Sequence, residues 1–143
     1  MRRFVLVGLI ALLAGAVLVG TSSGASFDRH FTVVAKETAF KETEEALRVR
    51  FKLLDEFDRS DKVGKAKVRC RPGRRKARCR GLFHFNGEVG GRGDLIVKGN
   101  FAPRDNNFLV VNGTGEFDGV AGKMIRHPEP GNRKDRLHFD LVR

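Results

Sequence analysis

Seven consecutive residues, Leu47-Arg48-Val49-Arg50-Phe51-Lys52-Leu53, alternate apolar and charged without a break. Successive side chains of an extended chain point to opposite faces, so this run sets Leu47, Val49, Phe51 and Leu53 against three cations. A helix cannot sort them this way, because its apolar stripe repeats every three to four positions. The segment is a strand with one greasy face that must be hidden from water. Leu137-His138-Phe139-Asp140-Leu141 repeats the pattern near the C-terminus. The spacing predicts further strands over residues 31–37, 63–70, 77–85, 94–101, 108–112 and 122–127. Turn chemistry separates them at Arg59-Ser60-Asp61, Pro72-Gly73, Asn86-Gly87 and residues 103–107 and 128–132. One short helix is allowed over residues 41–46, although that stretch is brief enough to be a turn. Eight short strands joined by tight turns bury a shared greasy face by stacking two sheets or by closing into a barrel, and closure also removes the exposed edges. The expected fold is all-β, a single antiparallel eight-stranded β-barrel.

The chain begins with Arg2 and Arg3, continues through an apolar and glycine run over residues 4–20, and reaches small residues ending Ser23-Gly24-Ala25. Positive, then greasy, then small is the order of a secretory signal peptide, expected over residues 1–25. An uncleaved anchor is the alternative, but the run is shorter than the ~20 residues that a span requires. One domain, residues 26–143, would remain, long enough for one core and too short for two. It would hold 26 Lys and Arg against 17 Asp and Glu, a balance of +9. A secreted protein this basic adheres to polyanions, whether nucleic acid, anionic glycopolymer or acidic lipid. Cys70 and Cys79 flank the Pro72-Gly73 turn, so antiparallel strands on either side bring the thiols opposite one another, where a disulfide can form. The rival reading, a metal or redox pair, lacks four visible ligands and the Cys-x-x-Cys spacing. No metal and no cofactor is expected.

A second feature is a glycine-rich corner, Asn112-Gly113-Thr114-Gly115-Glu116-Phe117-Asp118-Gly119-Val120-Ala121-Gly122. Flexible linkers are also glycine-rich, but Phe117 and Val120 give this stretch something to bury. It resembles the Gly-Gly-Thr-Gly-x-(Tyr/Phe)-x-Gly-(Ala/Val)-x-Gly signature of the allene oxide cyclase and dirigent-like barrels. Lys36-Glu37-Thr38, Asp55-Glu56-Phe57-Asp58 with Lys62-Val63-Gly64, the pair Cys70 and Cys79-Arg80-Gly81-x-Phe83, and Gly99-Asn100-Phe101 extend the likeness over most of the chain beyond the leader. The resemblance implies a barrel whose apolar cavity binds or steers a small hydrophobic molecule. It also implies that Glu37 matches the carboxylate that the cyclases place on their first strand. Tyrosines often line the cavities of those enzymes; this chain has no Tyr, and Phe117 offers the ring without the hydroxyl.

The residues leave several readings open. Val49, Phe51, Leu53, Phe83, Phe85, Phe117 and Phe139 are the lumen candidates, and eight strands leave room either for packed side chains or for one small ligand. Glu37 and Asp55 are either paired acids at the barrel mouth, one of them a catalytic proton donor, or ordinary strand-end carboxylates. Arg71, Arg74, Arg75, Lys76 and Arg78 crowd a hairpin that grips a polyanionic envelope polymer or lipid surface, or is merely a solvated tip. No aromatic residue interrupts them, which disfavours base stacking and hence nucleic acid. His30, His84, His127 and His138 show no metal-ligand spacing, and neither the Gly-x-Ser-x-Gly elbow nor a phosphate loop occurs. A secreted, non-catalytic barrel that binds or sterically guides a small hydrophobic molecule in its apolar lumen is the leading expectation. An envelope-binding protein and a cofactor-free isomerase or cyclase are the alternatives, and self-association is left open.

Overall fold

Each greasy strand face finds its partner in a ring. The computed structural model describes residues 28–101, 106–131 and 133–143; the expected leader at 1–25, the start of the domain at residues 26 and 27, and residues 103–105 and 132 of two expected turns lie outside them. Eight strands follow in order: β1 (Asp28–Glu42), β2 (Leu47–Asp55), β3 (Lys62–Arg71), β4 (Ala77–Asn86), β5 (Arg92–Phe101), β6 (Asn107–Gly113), β7 (Ala121–Glu129) and β8 (Lys134–Val142). Each pairs antiparallel with the next, and β8 pairs with β1 through Phe31↔Phe139 and Val33↔Leu137, closing the barrel. The expected all-β barrel is therefore the observed one.

Most strands run a little further than the sequence suggests, and two of them run into an expected helix and an expected turn. β1 continues through residues 39–42, into the start of the 41–46 stretch that allows a short helix, because Ala39, Phe40, Lys41 and Glu42 pair with Arg50, Val49, Arg48 and Leu47. A single helical turn would leave its terminal backbone groups bare, whereas the ladder satisfies them. A bulge between Glu37 and Ala39 shifts the register, and the extra residue, Thr38, donates its hydroxyl to the Arg50 carbonyl at 3.2 Å. Residues 43–46 then turn, with the Thr43 and Ala46 backbones bonded at 3.0 Å. β7 likewise runs through Pro128 to Glu129, pairing them with Asp135 and Lys134, so the turn expected at 128–132 starts later.

The inward side chains divide the lumen in two. At one end Phe31, Phe85, Phe117 and Phe139 pack ring on ring: Phe31 stacks on Phe139 at 5.0 Å, and Phe85 meets Phe31, Phe117 and Phe139 edge-on at 5.4–5.7 Å. Phe85, Phe117 and Phe139 have no solvent exposure. Phe117 comes from the glycine corner, a 3-10 turn over Gly115–Phe117 that folds inward after β6. The corner needs its glycines because the chains nearly touch: a Cβ on Gly113 would strike the Phe117 carbonyl, and one on Gly93 would strike that of Thr114. The corner is thus a stopper for one end of the barrel.

Towards the other end the packing thins. On β2, Leu53 is fully buried, whereas Phe51, Val49 and Leu47, one step higher each, face the same way and are half-exposed. On β3, Ala66 is buried and Val68 is not. A closed core would bury all of them, so the lumen opens here.

Candidate functional site

The open end is a cup of 470 Å³, in the range typical of small-molecule sites, roughly 300–1,000 Å³. Its wall is apolar. Leu47, Val49 and Phe51 come from β2, Val68 and Cys70 from β3, Cys79 and Phe83 from β4, Phe108 from β6 and Met124 from β7. Phe40 and Phe101 stand at the lip, 55% and 39% exposed. Cys70 and Cys79 sit directly opposite in the β3–β4 ladder and are joined in a disulfide, with Cα atoms 4.0 Å apart. The bond ties the wall of the cup at its rim, in the place expected from the hairpin. On the chain-entropy account a loop this short contributes about 2–3 kcal/mol.

Charged residues ring one side of the mouth. Arg126 donates to both oxygens of Asp135 at 2.8 and 3.3 Å, and its guanidinium lies over the Phe101 ring, 5.0 Å from the centroid. Glu129 accepts two bonds from Arg59, at 2.8 and 2.9 Å, which hold its carboxyl below the usual range, with Arg136 and Lys134 adding to the effect. Glu37 lies in the wall, half-buried, with its backbone N–H donating to the Arg133 carbonyl at 3.1 Å. Its side chain makes no hydrogen bond or ion pair among the described residues. Among the described residues it is the carboxylate of the cup left unengaged, since Asp135 and Glu129 are paired; Asp55, expected beside it, lies at the far end of β2 opposite Val33, where its Oδ1 accepts from the Phe57 and Asp58 backbone N–H groups at 2.8 Å.

The lumen candidates fall into two groups. Val49, Phe51 and Phe83 line the cup. Leu53, Phe85, Phe117 and Phe139 are packed in the core beneath it. The hairpin cations also divide. Arg71 and Arg78 face one another on the outer wall, while Arg74, Arg75 and Lys76 lie in the exposed turn between the strands.

One cluster escapes any reading of spacing. His30, His138 and Asp140 meet on the outer wall at the β1–β8 seam because His30 pairs with Asp140 and Thr32 with His138 across the closing ladder. Asp140 Oδ1 lies 2.6 Å from His30 Nδ1 and 2.9 Å from His138 Nε2. Thr32 Oγ1 lies 2.8 Å from the other His138 nitrogen. These are the donor types a metal takes, and the three ligand atoms lie within 4.8 Å of one another. They are bonded to each other, however, and the arrangement is a carboxylate clasp between two imidazoles. The hydrogen bond to Asp140 holds His30 above its ordinary value, Asp28 adding to it, and the same bond holds Asp140 below its own. Only knowledge that first and last strands meet would have disclosed it.

No protein-family model and no curated protein matches this sequence. Solved structures do match the fold. A pyocyanin demethylase superposes with a TM-score of 0.60 at 12% identity, over 78% of this chain and 98% of its own. The pterocarpan synthase dirigent protein GePTS1 superposes with a TM-score of 0.57 at 11% identity, over 82% and 89%. The fold is the dirigent-type barrel. At such identities the likeness concerns the backbone alone. What distinguishes this dirigent-type barrel is its own side chains: a phenylalanine stopper at one end, a disulfide-tied apolar cup at the other.

Proposed function

We propose that this dirigent-type barrel holds a small hydrophobic molecule in the cup and orients it against the charged side of the mouth. The observation that carries the reading is an apolar, half-buried lumen end that the described residues leave unfilled. Five phenylalanines at the wall and lip (Phe40, Phe51, Phe83, Phe101 and Phe108) favour a flat or aromatic ligand, which they can meet face-on or edge-on. Pyocyanin demethylase and the pterocarpan synthase dirigent protein are both named for work on small molecules, which supports the same class here. In this reading the protein binds or steers its ligand without a cofactor. The bonded Cys70–Cys79 pair and the leader-like N-terminus support a site of action outside the reducing cytoplasm.

Titration with an environment-sensitive apolar dye tests the proposal. Saturable binding at one dye per chain is expected; a flat response at every concentration overturns it. A second reading, in which the cup transforms its ligand, is favoured by one observation, the unengaged Glu37 carboxylate in the wall. Under the binding reading Glu37→Gln takes up dye as before and alters no product. Loss of a turnover in that variant, with dye uptake intact, would establish the second reading instead.

A further inference from the structure

The outer wall of β2–β5 carries cations that neither the barrel nor the cup explains. Across β2 and β3, Arg48 faces Arg69 and Arg50 faces Lys67; across β3 and β4, Arg69 faces Arg80 and Arg71 faces Arg78. Like charges directly opposite in a ladder repel, and this wall repeats the conflict rung after rung. Outward positions accept almost any polar residue, so the fold does not demand the arrangement. β3 and β4 contain no Asp or Glu. Among the described residues the carboxylate contact made by these strands is His84 Nδ1 to Asp94 Oδ1 at 2.5 Å, near the stoppered end.

The cations border a shallow depression of 980 Å³. Leu82 and Leu109 also line it, 45% and 64% exposed. This mixture discriminates between partners. A sulfated or phosphorylated polymer would engage the arginines and leave the leucines in water. At a bilayer surface the cations meet anionic headgroups while apolar side chains enter the acyl boundary, so both sets of residues are used. We propose that the outer wall of β2–β6 docks on a membrane surface that displays anionic lipid headgroups. The site is larger than the Arg71–Arg78 hairpin tip. It lies on the opposite side of the wall from the ligand and does not depend on the cup being occupied.

Cosedimentation of the full chain with vesicles tests this. Binding is expected to vesicles of phosphatidylcholine mixed with phosphatidylglycerol and not to phosphatidylcholine alone, and it should weaken as salt rises. Replacing Arg48, Arg50, Lys67 and Arg69 together by serine should reduce vesicle affinity by at least ~100-fold, since each cation near an anionic surface is worth about fivefold. That variant relieves like-charge rungs, so its thermal midpoint should not fall. The decisive variant is Leu82→Ser with Leu109→Ser, both at exposed outward positions. It should lose about tenfold in vesicle affinity while its retention on a heparin column is unchanged. Failure of the wild-type chain to sediment with anionic vesicles overturns the proposal. So does a leucine variant that binds vesicles as well as wild type, which would leave a surface for soluble polyanions instead.

Discussion

Removing one phenylalanine ring from the stopper and one from the cup should have very different costs, and the contrast measures whether the lumen is truly divided. Phe139 is fully buried and lies 5.0 Å from Phe31, 5.6 Å from Phe83 and 5.7 Å from Phe85, centroid to centroid. Phe139→Ala removes a close-packed ring and leaves a closed void, a change that costs about 3–5 kcal/mol. A domain of roughly 115 residues unfolds with an entropy near 0.24 kcal/mol/K, so the midpoint should drop by about 12–20 °C. Phe51 points the same way from β2 but is half-exposed and borders open space. Phe51→Ala forfeits burial without enclosing a void, about 1–2 kcal/mol by area, or roughly 4–8 °C. Denaturant titration of both variants beside wild type supplies the comparison, with an unchanged slope confirming that the same surface is exposed on unfolding. Dye uptake should follow the reverse order, falling in Phe51→Ala and persisting in folded Phe139→Ala. Equal losses of stability from the two substitutions would refute the division and leave a uniformly packed barrel.

Replacing Cys70 and Cys79 together by serine should cost about 2–3 kcal/mol in denaturant titration and weaken dye binding, because the bond braces the cup wall; unchanged stability would show that the hairpin is fully ordered without it. Gly113→Ala drives a Cβ into the Phe117 carbonyl and should prevent a stable barrel or lower the midpoint severely, whereas Gly131→Ala, at φ 79° with nothing within 4 Å, should cost only about 1–2 kcal/mol for its backbone conformation. The clasp at the seam predicts a pH window. The raised His30 gives stability that is complete below about pH 6.5 and is lost as pH rises through its folded value; the lowered Asp140 gives stability present above about pH 4 and lost as pH falls through its own. The midpoint difference between wild type and Asp140→Asn should therefore be greatest between about pH 4 and 6.5, and a difference that is flat from acid to alkali would dissolve the clasp.

Much of the fold was legible because local and global preferences agree. In β2 as far as Leu53, and in β4, apolar or small residues recur at every second position and face the lumen, so period alone located both strands. It was less legible where a local preference was overruled. Residues 41–46 are rich in Lys and Glu, good helix formers, yet pairing with β2 extends β1 through Glu42. The inward direction of Val49, Phe51, Phe83 and Phe139 could be read from the sequence, but not their depth. Depth depends on how far neighbouring strands are staggered round the ring, a property of closure that no single strand records. The same holds for His30 and Asp140, which are 110 positions apart and meet only because the ring shuts. Net charge foretold a basic surface. It could not foretell that the arginines of β2, β3 and β4 would stand rung against rung.

Among the described residues, the stopper made by Phe117 and its neighbouring rings leaves the lumen one open end. On the proposed reading a guest would back out by the route it entered, and two guests would not pass each other inside. Exchange of such a guest would be first-order departure followed by fresh entry, with the residence time set at the threshold where Phe40, Phe101 and the Arg126–Asp135 pair stand.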